Sequence, residues 1–131
     1  MPGSTRAPVL PYRIILVDDD PQLREIFGEA LRECGWPVSA AADAIAGLDA
    51  MGQLPSPSLL ITDIDLGPGP SGLLLASQIR AHFPDLPIIL MSGHWDPELD
   101  DHGVAAATLL RKPFRPSVLI DLVGRYLPPI A

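Results

Sequence analysis

The sequence predicts an α/β fold, a parallel sheet with helices on both faces. Three observations point there. Short apolar runs without polar alternation occur at residues 12–17, 59–62 and 87–91, and such runs fit strands buried on both faces. Stretches with apolar residues at helical spacing separate the runs. Most of the 16 prolines fall between these segments, where they punctuate the chain. Strand and helix patterns in alternation argue for βαβ units rather than a sandwich or a bundle.

Residues 1–11 read as a flexible leader. The first strand spans residues 12–17. Asp20-Pro21 then supplies an N-cap with proline at the first helical position. Leu23, Ile26, Phe27, Ala30, Leu31 and Cys34 follow at helical spacing, and Gly35 stops the helix. A brief strand at 38–41 leads to Asp43, the cap of a second helix that reaches about residue 54 and packs through Ile45, Leu48 and Met51. After a proline-rich loop, residues 59–62 form the third strand. The string Gly67-Pro68-Gly69-Pro70-Ser71-Gly72 is incompatible with regular structure. A third helix covers 73–83, stopped by Pro84, and a fourth strand covers 87–91. Asp96-Pro97 repeats the cap-and-proline device for a short fourth helix. Residues 105–110 form a weaker fifth strand. Pro116 opens a fifth helix with Val118, Leu119, Leu122, Val123, Tyr126 and Leu127 on one face, ending at Pro128-Pro129. The expected domain is 12–127, with a short tail at 128–131.

Composition narrows the function. A length of 131 residues fits one domain, and a hydrophobic share of 47% supplies its core, although aromatics make up only 5%. The net charge is −7 and no basic cluster occurs, which argues against nucleic-acid binding, since that requires Lys and Arg against phosphates. Cys34 is the single cysteine, so no internal disulfide forms, and it reads as a small buried hydrophobe. No apolar run approaches the roughly 20 residues that cross a bilayer, and the leader lacks the apolar centre of a signal peptide. The expectation is a cytoplasmic protein without membrane contact.

Right-handed crossovers place the C-terminal end of every parallel strand on one rim, and ligands bind there, at the switch in strand order. In the flavodoxin-like doubly wound order 2-1-3-4-5, Asp18 and Asp19 after strand one lie beside Asp63 after strand three. Ser92-Gly93 ends the neighbouring strand four. Lys112, the only lysine among nine basic residues, follows edge strand five and must reach inward. Close carboxylates repel by on the order of 4 kcal/mol per pair at an effective dielectric near 20, so they share protons or take a cation. Magnesium, or manganese, suits such an oxygen set, and the backbone carbonyl of Asp65 can complete the shell. With the cation in place Asp63, the lone acid at the tip of the central strand, is the candidate nucleophile towards phosphorus. Lys112, the Ser92 hydroxyl and the Gly93 amide are the candidate donors to the transferring oxygens.

These residues also carry a resemblance. Leu16-Val17-Asp18-Asp19-Asp20-Pro21 with Leu23-Arg24, Asp63 after an apolar strand, Ser92-Gly93 and Lys112-Pro113-Phe114 occur in the order and spacing of the receiver domains of two-component response regulators. The likeness covers residues 12–127. It implies that Asp63 accepts a phosphoryl group from a phosphohistidine on a sensor histidine kinase or phosphotransfer protein. It implies direct magnesium ligation by Asp19 and Asp63, with Asp18 acting through water. Ser92 follows the phosphoryl group as a switch, Lys112 pairs with it, and the Lys112-Pro113 bond is often cis in the family. The implied protein is a switch or relay for a downstream protein target, not an enzyme beyond its own phosphorylation and dephosphorylation. The partner surface is implied near strand five and its flanking helices, and a homodimer is left open.

The chain departs from the family pattern in places. Leu109 stands three residues before the lysine, where the family usually has an aromatic. The loop at 67–72 is one residue longer than the common form. Residues 94–102 are short and acidic, which implies a reduced fourth helix. Asp65 adds an acid two residues after Asp63. Two other function classes compete. Asp63-Ile64-Asp65-Leu66-Gly67 resembles the nucleophile motif of haloacid-dehalogenase-like phosphohydrolases, although that family sets its motif near the start of a longer chain with a substrate cap. A pseudo-receiver, an interaction module that is not phosphorylated, is the other. Simpler roles weigh against each residue as well: a helix cap for Asp20, a turn for Ser92, loop or surface positions for His82, His94 and His102, and packing for Trp36 and Trp95.

Overall fold

Five parallel strands form one sheet, lying side by side in the order second, first, third, fourth, fifth along the chain. The computed structural model describes residues 12–53, 56–93 and 103–128. The strands are β1 (Ile14–Val17), β2 (Val38–Ala41), β3 (Leu59–Asp63), β4 (Ile88–Ser92) and β5 (Thr108–Arg111). The helices are α1 (Pro21–Glu33), α2 (Ala44–Met51), α3 (Gly72–His82) and α4 (Pro116–Gly124). The expected short helix after Asp96, with His94, Trp95 and His102, lies outside the described residues, as do the expected leader and the end of the tail.

The apolar runs are buried on both faces, and alternate residues feed two cores. Ile15, Val17, Leu60 and Leu90 pack with α2 and α3 residues such as Met51, Leu75 and Ile79. Ile14, Leu16, Leu59, Ile61, Ile89 and Met91 pack on the other face with Phe27, Leu31, Leu119 and Val123 of α1 and α4. Trp36 and Leu127 close that second core, and the Trp36 indole Nε1 donates to the Pro128 carbonyl at 3.3 Å. Cys34 packs half-buried against the same cluster.

Local chemistry sets the helix ends. The Asp20 carboxylate accepts from the amides of Gln22 and Leu23, with Pro21 at the first helical position. Gly35, after the α1 terminus, has φ of +92°, a conformation that costs glycine least. Asp43 and Ser71 cap α2 and α3 by accepting from Ala46 N and Leu74 N.

Three expectations need correction. Ile45 and Leu48 do not face the core: they are 70% and 46% exposed, and α2 packs instead through Ala44, Gly47 and Met51. The cause is Gly47, where a Cβ would lie 2.8 Å from Val17 Cγ2, so the helix sits tight on β1 along its small-residue edge and rotates its larger residues outward. Val118 of α4 is likewise 43% exposed. The helical face including Tyr126 and Leu127 is shorter than expected, since α4 ends at Gly124; Tyr126 follows in a turn, its hydroxyl sharing a hydrogen bond of 2.9 Å with Thr108 Oγ1.

Candidate functional site

Register explains why distant acids meet. Val17 pairs with Thr62 across β1 and β3, so the next residues, Asp18 and Asp63, stand side by side at the strand ends. Asp63 pairs with Met91 and Met91 with Leu110, which sets Ser92 and Lys112 one and two steps above. Asp18, Asp63 and Lys112 also continue the sets Leu16, Ile61 and Leu110, which pack on the α1/α4 face. The period-two alternation of strands therefore directs the three charged side chains to one side of the rim.

Lys112 does reach inward. Its Nζ donates to Asp18 Oδ2 and to Asp63 Oδ2, each at 3.0 Å. Asp18 is fully buried and Asp63 nearly so, whereas Asp19 is exposed. One carboxylate oxygen from each of Asp18, Asp19 and Asp63 lies within 4.8 Å of the others. The second oxygens are held by backbone: Asp18 Oδ1 accepts from Asp20 N at 3.0 Å, and Asp63 Oδ1 accepts from Asp65 N at 3.2 Å.

Two carboxylates share one ammonium, and the titration directions reflect it. Burial pushes the Asp63 carboxyl above its usual range; the hydrogen bond from Lys112 opposes this, while the nearby Asp18 charge adds to it. Burial alone would lower the Lys112 ammonium, yet its bonds to Asp63 and Asp18 raise it overall. The two shifts are consistent because the single cation is divided between two acids that repel each other. The set is short of positive charge, and its donors are carboxylate oxygens with spare lone pairs. Such a set fits a hard divalent cation, and Asp19, exposed at the mouth, offers the easiest access.

Several supports had no role assigned from the sequence. Gly72 is the first. A Cβ there would lie 1.8 Å from the Asp63 carbonyl oxygen, and the Gly72 amide donates to the Ile64 carbonyl at 2.8 Å. The start of α3 thus presses directly on the backbone of the candidate nucleophile. Arg24 of α1 is the second: its Nη1 donates to the Asp18 carbonyl at 2.7 Å and fixes the acidic turn. Its position one turn after Asp20 was the available signal. Phe114 is the third, stacked on Phe27 of α1 with ring centroids 5.0 Å apart, which anchors the segment after Lys112. The Lys112-Pro113 bond is cis.

The remaining expected residues stand as follows. Ser92 is buried, and its carbonyl accepts from the Lys112 amide at 2.7 Å, tying the ends of β4 and β5 together. Gly93 is exposed, and a Cβ there would meet open space. Asp65 is exposed beyond the strand, its Oδ1 accepting from Gly67 N at 3.1 Å. Leu109 is half-buried against the α2/α3-side core.

The sequence pattern of the response regulator receiver domain matches residues 14–124. The chain is 35% identical over 117 residues to the C4-dicarboxylate transport transcriptional regulatory protein DctD of Pseudomonas aeruginosa, covering 88% of this chain and 25% of that protein. It is 34% identical over 120 residues to the transcriptional regulatory protein CssR of Bacillus subtilis, covering 88% of this chain and 51% of that one. Among solved structures, the chemotaxis protein CheY4 of Vibrio cholerae superposes with a TM-score of 0.80 at 26% identity, over 88% of this chain and 98% of that one. A response regulator receiver protein from Sinorhizobium medicae does so with a TM-score of 0.80 at 29% identity, over 88% and 93% of the two chains. The chain belongs to the receiver domain family of two-component response regulators. It spans about a quarter of the length of DctD. Neither the phosphohydrolase reading nor the pseudo-receiver reading is favoured by these relationships. No helix among the described residues is long and apolar enough to cross a membrane.

Proposed function

We propose that Asp63 is the phosphoryl acceptor and that the chain is a phosphorylation-driven switch or relay. The observation that carries this reading is the sharing of one ammonium by Asp18 and Asp63 at 3.0 Å each, with Asp19 alongside. Asp63 Oδ attacks the phosphorus of a phosphohistidine donor; the P–N bond breaks, an acyl phosphate forms, and the imidazole leaves. Lys112 transfers its hydrogen bond from the carboxylate to the incoming phosphoryl oxygens, where negative charge accumulates. Asp19 and Asp63, with Asp18 through water and the Asp65 carbonyl, would hold a magnesium or manganese ion that neutralises charge during transfer. Ser92 and the Gly93 amide are the remaining donors to the phosphoryl group. The chain acts on no substrate beyond its own acyl phosphate. Its donor is a sensor histidine kinase or phosphotransfer protein, and its output goes to a protein target. Relatives such as DctD are transcriptional regulators by name, and a comparable output for a longer protein containing this chain belongs to the same proposal.

Treatment with acetyl phosphate or phosphoramidate and magnesium tests the reading. Intact-mass spectrometry should show one added phosphoryl group on the wild type and none on Asp63→Asn. An unmodified wild type, or equal modification of both, overturns it. Turnover of a generic phosphate ester would instead favour a phosphohydrolase.

A further inference from the structure

The turn after β3 touches two of the three acids at the rim. Asp63 Oδ1 accepts from the Asp65 amide at 3.2 Å, and Asp65 Oδ1 accepts in turn from the Gly67 amide at 3.1 Å. Gly67 then comes up against Asp19: a Cβ built on it would lie 3.4 Å from Asp19 Oδ2. One short turn therefore spans the distance from the acid at the end of β3 to the exposed acid that follows β1. Leu66, within that turn, is buried in the core on the α2/α3 side. The turn cannot back away from Asp19 without losing that contact.

Backbone conformation is one reason for a glycine here. Gly67 has φ of +74°, and Pro68 follows, which further restricts the residue before it. Conformation is not the whole account, because Gly69 has the same requirement two residues on. Its φ is +98°, yet a Cβ there would meet nothing within 4 Å. Both glycines serve the loop, and only Gly67 also leaves one side of the Asp19 carboxylate uncovered. A separation of 3.4 Å is contact rather than clash, so a methyl group would fit and would cover that oxygen.

The uncovered side matters for the chemistry of the rim. Asp18 and Asp63 each give one oxygen to Lys112 and the other to a backbone amide. Asp19 stands exposed at the mouth. A small hard cation held by few carboxylates keeps several waters, and these need room beside the outermost ligand.

We propose that Gly67 is a positioning residue for the cation, keeping the Asp19 carboxylate open to the ion and its waters by carrying no Cβ. This rests on the reading of Asp18, Asp19 and Asp63 as a cation site. It gives the loop after β3 a part in metal affinity distinct from the hold of Asp65 on Asp63.

The rise in thermal midpoint of the full chain, titrated with magnesium alone, yields the Kd. Gly67→Ala and Gly69→Ala should lower the metal-free midpoint alike, since both put alanine at positive φ. Only Gly67→Ala should weaken magnesium, by roughly tenfold, the lower end for groups that stand behind a metal ligand. Gly67→Asn, a residue that tolerates the left-handed region, should weaken magnesium as much and serves if the alanine variant does not fold. Asp19→Asn should bind magnesium more weakly than wild type, and adding Gly67→Ala to it should cost nothing further, because the two act through one oxygen. Equal affinity in wild type and Gly67→Ala, or an equal loss in Gly69→Ala, overturns the proposal and leaves the cation site standing. A full further loss in the Asp19→Asn background overturns it too. A wild type whose midpoint magnesium does not move overturns the cation site, and the role of Gly67 with it.

Discussion

The hydrogen on the α-carbon of Gly72 allows α3 to begin against the backbone of Asp63. With 1.8 Å between a Cβ and the Asp63 carbonyl oxygen, no side-chain rotation relieves the clash, because both atoms belong to or adjoin backbone. Gly72→Ala should therefore destabilise the fold by about 3 kcal/mol, at the upper end of overpacking costs, and slow modification of Asp63 by acetyl phosphate. Denaturant melts and phosphorylation rates check this; a wild-type midpoint would remove Gly72 from the account of the site. Asp65 makes a different kind of contribution. Its amide holds Asp63 Oδ1, and its exposed carboxylate caps the turn at Gly67 N. Sited there, that carboxylate can orient and accept a proton from water attacking the acyl phosphate. Asp65→Asn should lengthen the phosphoprotein lifetime roughly tenfold, less than the 10² or more of a fully positioned base. Equal decay rates in the two proteins would refute that role.

Among the elements, α1 and α2 show what the sequence makes legible. In α1 the cap, the proline and the stopping glycine are local signals, and all three act as read: Asp20 accepts from two amides and Gly35 takes positive φ. The strands were legible because continuous apolar runs have few alternatives. The acids and the lysine were legible because strand order and register convert positions in sequence into neighbours on one rim. In α2 the apolar pattern holds at Met51 but misleads at Ile45 and Leu48, because a large apolar side chain need not be a buried one. The approach of Gly47 to Val17 decides the rotation of that helix, and such a contact is tertiary. Two arginines were unreadable for the same reason. Arg13, buried at the start of β1, donates through Nη2 to the carbonyls of Ala50 and Gln53 at 2.9 and 2.7 Å, satisfying the α2 terminus. Arg80 donates to the carbonyls of Ala105 and Leu86 at 2.8 and 2.6 Å, pinning the approach to β5. Nothing in a linear string separates these from solvent-facing charges.

At the scale of the whole molecule, the site costs the metal-free fold stability that the proposed cation would return. The Asp63 carboxyl is raised by burial in the native state, above the unfolded value of about 3.9. The native state then binds its proton more tightly than the unfolded state does. Between the two values stability falls as pH rises, and above the native value the full loss persists. Asp63→Asn carries no such proton, so metal-free Asp63→Asn should be the more stable protein at neutral pH, with the margin shrinking as pH falls back towards 4. Each kcal/mol of difference corresponds to roughly 4 °C in a domain of this size. A divalent cation bound only by the native state contributes about 2.7 kcal/mol at a hundredfold excess over its Kd. Magnesium should thus raise the melting temperature of the wild type by several degrees at neutral pH and that of Asp63→Asn by distinctly less. Thermal melts of both proteins across pH, with chelator and with magnesium, measure all four curves. Parallel pH profiles for the two proteins without metal, or equal gains on adding it, would mean that the Asp63 carboxylate is neither strained in the free protein nor part of the cation site.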